Sequence, residues 1–258
     1  MTAHAGLPQI EPLPAPAVWR TIDFISDLHL QAEQPATFEA WREYMRATPA
    51  DAVFILGDLF DVWVGDDCAS EPGFAADSAA VIQACSSHAS VFLMHGNRDF
   101  LIGEDFARTS GAALLPDPAV LAFSGRRWLL THGDALCLAD TDYLKFREQV
   151  RSAQWQRDFL AKPLEERKRI GADLRRQSEA RKQGGVEYAE VDAPAALQWL
   201  EAAQAETLIH GHTHRPADHE LDASHQRIVL SDWDAGARPP RLQVLRLTAE
   251  GPRRLALA

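Results

Sequence analysis

The stretch TIDFISDLHL, residues 21–30, joins a predicted buried strand to two side chains that can bind metal, Asp27 and His29. Its apolar residues do not alternate strictly with polar ones, which is typical of a strand covered on both faces. Polar groups that follow such a strand lie at the sheet edge where open α/β proteins bind ligands. If the chain stays extended, the D-x-H spacing also places both side chains on one side. The stretch therefore predicts an α/β fold with a ligand site after its first strand.

The same arrangement recurs along the chain. Predicted strands cover residues 21–27, 52–58, 90–97, 127–134 and 207–214. Predicted helices cover residues 37–47, 77–88, 104–110 and 192–203, and the segment 226–258 alternates like antiparallel strands. Buried strands that alternate with helices and end in antiparallel strands predict a layered α/β sandwich with mixed sheets.

Each of the five predicted strands ends in residues that can ligate a metal ion. The set is Asp27, His29, Asp58, Asn97, His132, His212 and His214. A single residue of this kind at a strand end is usually a cap or a hydrogen-bonded polar group, but five matches in one chain favour a metal site. Seven ligands suit two cations if one carboxylate bridges them, and Asp58 is the natural bridge. Oxygen and nitrogen ligands without thiolate favour Mn²⁺, Fe or Zn²⁺, and two such ions ~3.5–4 Å apart clamp a phosphoryl group and generate a hydroxide nucleophile.

Composition excludes several classes of protein. The 258 residues include 37 Asp or Glu and 26 Lys or Arg, a net charge of −11, with 46% hydrophobic residues. These values exclude a disordered or collagen-like chain and argue against a general nucleic-acid binder. The three cysteines are widely spaced, so we expect neither a disulfide framework nor a Cys-type zinc site. The same cysteine usage predicts a reducing, cytoplasmic compartment. No apolar run approaches the ~20 residues needed to span a bilayer.

The chain divides into an arm, a domain and an insertion. Residues 1–20 are rich in proline and predict a flexible arm, and residues 21–258 predict one domain with a helical insertion at about 140–190. Residues 145–182 contain 12 Lys or Arg but six Asp or Glu, a local charge of +6 that leaves −17 for the rest of the chain. The insertion is either a solvated helical segment or a cap over the site. As a cap, it would offer Trp155, Phe159, Leu160 and Leu164 to apolar chains and its basic residues to phosphates.

Taken together, the motifs D-x-H, G-D-x-x-D, G-N-x-[DE], a lone His and G-H-x-H resemble those of the calcineurin-like metallophosphoesterases. Within that superfamily, the strings FISDLHL, ILGDLFD, HGNRDFL and IHGHTHRPA resemble the UDP-2,3-diacylglucosamine diphosphatase family. The resemblance implies a four-layer α/β/β/α sandwich with a helical cap insertion and two Mn²⁺ per chain, with Zn²⁺ or Fe²⁺ as alternatives. It implies hydrolysis of UDP-2,3-diacylglucosamine to UMP and 2,3-diacylglucosamine 1-phosphate, a step in lipid A biosynthesis. It also implies a cytoplasmic protein in peripheral contact with the inner membrane, with neither nucleic acid nor an obligate protein as partner.

The resemblance also assigns roles to residues, motif by motif. It places Asp27, His29, Asp58 and His214 on the first cation, and Asp58, Asn97, His132 and His212 on the second. It implies catalytic roles for Asp58, Asn97, Arg98 and His132. It implies substrate contacts by Asn97, Arg98, Asp140, Ser178, Lys182 and His212. The run Arg181–Gly185 departs from the small and amide residues of the family.

Arg98 stands where many members of the superfamily have a His that protonates an alcohol leaving group. A guanidinium does not donate a proton near neutral pH, but it holds a phosphate in a bidentate fork. Attack on a pyrophosphate expels a phosphate monoester, an anion that needs no proton. Arg98 therefore favours a pyrophosphate substrate over an alkyl phosphomonoester, with a surface ion pair as the alternative.

Two other functions fit the same sequence. The first is a dimetal phosphoesterase or nucleotide pyrophosphatase that acts on a soluble substrate, which the apolar residues of the insertion argue against. The second is a scaffold that keeps the fold and binds partners, which the complete set of seven ligands argues against.

Overall fold

Two mixed six-stranded sheets lie at the centre of the computed structural model, which describes residues 12–183 and 189–257. The strands are β1 (Pro12–Pro14), β2 (Ile22–Ile25), β3 (Ala52–Leu56), β4 (Ser90–Met94), β5 (Ala113–Leu115), β6 (Ala119–Phe123), β7 (Arg126–Thr131), β8 (Thr207–His210), β9 (Ala217–Glu220), β10 (Gln226–Val229), β11 (Gln243–Thr248) and β12 (Gly251–Ala256). The helices are α1 (Pro35–Ala47), α2 (Phe74–Ser86), α3 (Glu104–Ser110), α4 (Thr141–Arg151), α5 (Ala153–Leu160), α6 (Leu164–Gln183) and α7 (Ala193–Ala203).

The strand order separates the chain into two sheets. The first sheet has the order β12-β11-β2-β3-β4-β5, in which β2 to β5 are parallel and β11 and β12 are antiparallel to their neighbours. The second has the order β1-β6-β7-β8-β10-β9, in which β7, β8 and β10 are parallel. Parallel neighbours put the carboxyl ends of β2, β3 and β4 on one edge of the first sheet, and those of β7 and β8 on one edge of the second.

Three apolar layers explain why the central strands are so evenly hydrophobic. Between the sheets, Phe24 and Phe54 pack against residues of the second sheet such as Leu130. The opposite face of the first sheet packs against α1 to α3, and that of the second sheet packs against α7. Because each sheet is covered on both faces, alternate residues of a central strand enter different apolar layers. The predicted four-layer α/β/β/α sandwich is confirmed.

The structure differs from the sequence prediction at the sheet edges. Within the predicted arm, Pro12–Pro14 form edge strand β1 beside β6, and Trp19 is 9% exposed and packs edge-on against Phe92. Proline is compatible with an edge strand because its missing N–H need not enter the ladder. In the segment 226–258, the antiparallel prediction is confirmed for β11 and β12. It is wrong for β10, which pairs in parallel with β8.

Helices α4 to α6, residues 141–183, lie between β7 and α7 and are called the cap below. Two ion pairs join α6 to the loop after β3. Arg175 Nε lies 2.8 Å from each Asp61 carboxylate oxygen, and the buried Arg167 pairs with Asp67. In the described part of the chain, no helix is both long and apolar enough to cross a bilayer.

A buried ionic network fixes β11 against β2 and α1. Asp23 is fully buried, and its carboxylate accepts hydrogen bonds from Arg246 Nε at 2.8 Å, Tyr44 Oη at 3.0 Å and Thr48 Oγ1 at 2.9 Å. Arg246 is also the register partner of Asp23. A buried carboxylate is tolerated only with such partners, so the pair specifies this register.

We expect Arg246→Met to lower the free energy of unfolding by about 3 kcal/mol, because it leaves the buried Asp23 carboxylate without its cation. Urea denaturation followed by circular dichroism measures the change. The matched control is Arg253→Met on the neighbouring strand β12, where the side chain is exposed. We expect the control to change the free energy of unfolding by less than about 0.5 kcal/mol. Equal effects of the two substitutions would contradict the role given to Asp23.

Candidate active site

The predicted metal-binding residues come from both sheets and meet where the two sets of strand ends face each other. Asp27 and His29 follow β2, Asp58 follows β3, Asn97 follows β4, His132 follows β7, and His212 and His214 follow β8. His214 Nε2 lies 3.3 Å from Asp27 Oδ1 and 3.1 Å from His29 Nε2. Three loops of the first sheet and two of the second therefore build one cluster.

Asp58 lies in the middle of this cluster and is 2% exposed. Its Oδ1 lies 3.8 Å from His132 Nε2, and its Oδ2 lies 3.9 Å from His29 Nδ1. One ligand atom each from Asp27, Asp58 and His132 lie within 4.8 Å of one another, as do ligand atoms from Asp27, His29 and His214. Asp27 belongs to both groups. Asp58 belongs to one of them, but its two carboxylate oxygens face His132 and His29 separately, as a bridging carboxylate requires.

The backbone of the cluster is unusual. Asp27, His29, Asp58, His212 and His214 have φ between 45° and 66°, in the left-handed region that non-glycine residues rarely adopt. The expectation that D-x-H lies on extended chain is therefore wrong, since Asp27 and His29 come after β2 has ended. His212 and His214 likewise come after β8 has ended. Left-handed backbone of this kind costs of order 1 kcal/mol or more per residue and clusters at functional sites.

The Asn97 side-chain amide points into the cluster. One of its terminal atoms lies 2.9 Å from His212 Nδ1, 3.0 Å from His132 Nε2 and 3.2 Å from Asp58 Oδ2. With nitrogen at that position, the amide donates hydrogen bonds to these acceptors. With oxygen there, a group of acceptors converges on one point, an arrangement that a bound cation stabilises.

Burial and charge at the site also fit a cation. Asp27 is fully buried, and its Oδ1 faces the imidazole of His214 at 3.3 Å. Burial raises the pKa of the Asp58 carboxyl to about 7, helped by Asp99 and Asp27 and opposed by His132. Burial opposes the charge of His132, but Asp58, Asp27 and Asp134 raise its pKa to about 9. Buried carboxylates that share protons with imidazoles in this way suit a divalent cation, which replaces those protons.

Two glycines let the loops approach the ligands closely. A Cβ on Gly211 would lie 2.0 Å from Ser26 Oγ and 2.2 Å from Asp27 Oδ2. A Cβ on Gly96 would lie 2.0 Å from Asp58 Oδ1. A side chain at either position would displace a carboxylate of the cluster.

Asp99, the last residue of G-N-R-D, has a supporting role that the sequence argument missed. It is fully buried and accepts hydrogen bonds from Leu59 N at 2.7 Å, Gly96 N at 2.8 Å and Asp58 N at 3.3 Å. One carboxylate thereby holds together the loops that carry Asp58 and Asn97. The acidic residue at the fourth position of the motif was the available signal.

A cavity of about 1000 Å³ extends from the cluster beneath the cap. At one end it is lined by His29, Asp58, Asn97, His212 and His214. The predicted substrate contacts Arg98, Asp140 and Ser178 also line it, and an Arg98 guanidinium nitrogen lies 3.3 Å from Ser178 Oγ. The side chain of Lys182 lies outside the described part of the structure. Polar and cationic groups therefore border the metal-binding end of the cavity.

Aromatic and aliphatic side chains line the remainder of the cavity. Trp155 and Phe159 stack with ring centroids 4.7 Å apart and line it as predicted. Leu160 and Leu164 do not belong to the lining residues. Leu160 is 43% exposed because it is one residue beyond Phe159 and so faces a different side of α5, and Leu164 packs against the core. Apolar lining residues that the sequence argument missed include Val62, Val64, Phe100, Phe146 and Leu174.

Comparison with known proteins agrees with this geometry. The family model described as calcineurin-like phosphoesterase matches residues 20–216. The chain belongs to the calcineurin-like phosphoesterase family. A relative from Chromobacterium violaceum is 47% identical over 224 residues, which cover 83% of this chain and 91% of the relative. A relative from Marinobacter nauticus is 44% identical over 217 residues, which cover 82% of this chain and 88% of the relative. Both are named UDP-2,3-diacylglucosamine hydrolase, so the resemblance read from the motifs is confirmed.

A solved structure of an archaeal phosphodiesterase is also similar to this calcineurin-like phosphoesterase. It has a TM-score of 0.48 and 14% identity over 92% of this chain and 99% of that chain.

We expect Gly211→Ala in this phosphoesterase to weaken Mn²⁺ binding about tenfold or more, because the added Cβ displaces the Asp27 carboxylate. Isothermal titration with Mn²⁺ measures the affinity. Gly236→Ala is the matched control, since its Cβ would meet its closest neighbour, Asp234 Oδ1 on an exposed loop, at 3.3 Å. Unchanged affinity in both variants would show that the close approach of Gly211 does not set the position of Asp27.

Proposed function

We propose that the protein hydrolyses the pyrophosphate bond of UDP-2,3-diacylglucosamine to UMP and 2,3-diacylglucosamine 1-phosphate, a step in lipid A biosynthesis. The observation that carries this proposal is the single cavity that joins the ligand cluster and Arg98 to an aromatic region beneath the cap. A lipid nucleotide needs both environments at once. The relatives that share 43–47% identity with this chain and are named for this substrate support the same conclusion.

Two divalent cations fit the cluster, and we assign their ligands as the resemblance to the family implies, motif by motif. Asp27, His29, Asp58 and His214 hold the first, and Asp58, Asn97, His132 and His212 hold the second. Asp58 is the bridge because its two oxygens face His132 and His29 separately. We propose Mn²⁺ because the ligands are oxygen and nitrogen atoms without thiolate. When bound, such a pair supplies positive charge to the phosphoryl group and lowers the pKa of a water molecule.

Arg98 positions the pyrophosphate in this proposal. Its backbone N–H donates to Asp58 Oδ1 at 2.8 Å, and its guanidinium lies beside Ser178 in the cavity wall. The backbone contact fixes where the side chain starts, and the planar guanidinium can hold two phosphate oxygens at once. Because the departing UMP or sugar phosphate leaves as an anion, the group at this position needs charge and not a transferable proton.

Further substrate contacts are assigned to polar residues along the same wall. We assign Asn97 and His212 to phosphate, and Asp140, Ser178 and Lys182 to the polar part of the lipid. Asp140 is the N-cap residue of α4, and its Oδ1 accepts a hydrogen bond from Tyr143 N at 3.1 Å. This hydrogen bond fixes the Asp140 carboxylate at the point where the chain enters the cap.

The apolar part of the cavity suits the acyl chains. Phe100, Trp155 and Phe159 form a continuous aromatic group, in which Phe100 and Trp155 lie 6.1 Å apart. Phe146 and Leu174 are each 36% exposed at the cavity lining, and the cap is rich in Lys and Arg. We therefore propose that the cap meets the cytoplasmic face of the inner membrane peripherally. We also propose that the cap belongs to an insertion at about 140–190 within a single domain of residues 21–258.

With Mn²⁺ present, we expect release of UMP from UDP-2,3-diacylglucosamine with a kcat/KM at least about 100-fold above that for a soluble phosphomonoester such as p-nitrophenyl phosphate. The physical reason is the cavity, since acyl groups buried against aromatic residues contribute binding energy that a small ester lacks. Chromatographic quantification of UMP measures the reaction, and EDTA should abolish it. Fast hydrolysis of the soluble ester without release of UMP would overturn the proposal.

Arg98→His tests the leaving-group argument. We expect kcat/KM for the lipid nucleotide to fall by about 10- to 100-fold, because the bidentate cation at the phosphates is lost. Relative activity on alkyl phosphomonoesters should rise, because imidazole can protonate an alkoxide.

The control for Arg98→His is Arg157→His, on an exposed part of α5 where the guanidinium donates to Gln154 Oε1. We expect Arg157→His to leave turnover of the lipid nucleotide unchanged. If Arg98→His also left it unchanged, the role of Arg98 in holding the pyrophosphate would be wrong.

A further inference from the structure

One face of α4 points from the cap towards the ligand cluster. Tyr143, Arg147 and Arg151 are four residues apart and therefore share a side of the helix. Each makes a polar contact outside α4, and we call them the α4 stripe. The contacts of the α4 stripe connect the cap to the base of the metal site.

Tyr143 lies over one of the proposed ligands. Its ring stacks on the His212 imidazole with centroids 6.1 Å apart at an interplanar angle of 28°. Its hydroxyl donates to Asp134 Oδ2 at 2.5 Å. The hydroxyl contact fixes the tilt of the ring, and the ring limits the rotation of the imidazole.

Arg147 holds the carboxylate on which Tyr143 depends. Its Nε donates to Asp134 Oδ2 at 2.8 Å, and its terminal nitrogen lies 3.5 Å from Asp117 Oδ2. Asp134 is fully buried and lies two residues after His132, and Asp117 Oδ1 accepts a hydrogen bond from Thr131 Oγ1 at 2.5 Å. Arg147 thus pairs with buried carboxylates on both sides of the loop that carries His132.

Arg151 contacts the third loop. Its terminal nitrogen donates to the Gly96 carbonyl at 2.9 Å and lies 3.8 Å from Asp134. Gly96 precedes Asn97, so this hydrogen bond holds the peptide from which the Asn97 side chain extends. The guanidinium also lies over the Phe100 ring at 5.8 Å.

We propose that the α4 stripe positions the ligands of one cation, the one held by Asn97, His132 and His212 together with Asp58. The inference rests on the proposed assignment of the two cation sites. Each member of the stripe reaches a different ligand loop of this set. By contrast, Asp27 of the other set is held from within the sandwich, where its Oδ2 accepts from Ser26 Oγ at 2.7 Å and His212 N at 2.9 Å. The first helix of the cap therefore contacts the ligand loops of one metal site directly, and it reaches Asp27 of the other site only through His212.

Groups that orient metal ligands typically change metal affinity by about 10- to 100-fold when they are removed. The α4 stripe should therefore make the two sites unequal in their response to changes in the cap. Tyr143, Arg147 and Arg151 are positioning residues in this proposal, because they act through His212, the His132 loop and Asn97.

Arg151→Met tests the proposal, because it removes the hydrogen bond to Gly96 and keeps a long apolar stem beside Phe100. The matched control is Lys145→Met, on the outer side of the same helix, where the side chain is 78% exposed. Free Mn²⁺ is followed by electron paramagnetic resonance during titration of the metal-free protein, which yields the number of bound ions and both affinities. We expect wild type and Lys145→Met to bind two ions alike, and Arg151→Met to lose about tenfold in affinity at one site alone. Higher Mn²⁺ should then restore its turnover.

Tyr143→Phe provides a second variant, since it keeps the ring and leaves the Arg147–Asp134 ion pair in place. We expect a weaker loss at the same site, and thermal unfolding of the metal-free proteins monitors folding. Two unchanged affinities in both Arg151→Met and Tyr143→Phe would overturn the role of the α4 stripe while leaving the dimetal site intact. A wild type that binds fewer than two ions would instead overturn the dimetal assignment, and this inference with it.

Discussion

The convergence of buried carboxylates and imidazoles at the ends of two sheets is the constraint on which the rest of the structure depends. Asp27 and His132 are fully buried and Asp58 nearly so, and the backbone at Asp27 and Asp58 is left-handed. Both features cost free energy unless the surroundings compensate. The sandwich supplies rigid strand ends, Asp99 ties two loops through their backbone N–H groups, and glycines allow the close approach. The fold is thus the means by which an unfavourable cluster is held ready for cations.

The cap is attached to the same loops and not merely placed above them. Through α6, Arg175 and Arg167 pair with Asp61 and Asp67 on the loop that follows Asp58. Through α4, Arg151 reaches the Gly96 carbonyl. A buried ion pair contributes little net stability, but the loss of one partner is costly, so these pairs favour the observed position of the cap on the loops. The cap is therefore held directly against the loops that carry the proposed metal ligands.

Features of this structure are predictable when they leave a local pattern in the sequence, and they are not predictable when they depend on tertiary contacts. Central strands are predictable because burial on both faces requires continuous apolar runs, whereas edge strands β1 and β9 carry no such signal in PLP and ADHE. Ligand residues are predictable from chemical type and motif order. The motif marks Asp99 as a residue of interest, but neither its partners nor the role of Arg151 is predictable, because both depend on which backbone atoms tertiary folding brings near. Leu160 was misplaced for a local reason, since one residue changes the side of a helix by about 100°.

The ion pairs between the cap and the loops also reduce the negative charge around the ligand cluster. The net charge of −11 would repel a pyrophosphate at a distance. Around the ligand cluster, however, Asp61, Asp117 and Asp134 are paired with arginines of the cap, and bound cations would offset the charges of Asp27 and Asp58. Arg98 then presents its charge in a wall where much of the nearby acid is already neutralised. Binding of the proposed anionic lipid nucleotide is in this way compatible with an acidic protein, because neutralisation is local while the excess of acid is distributed over the rest of the chain.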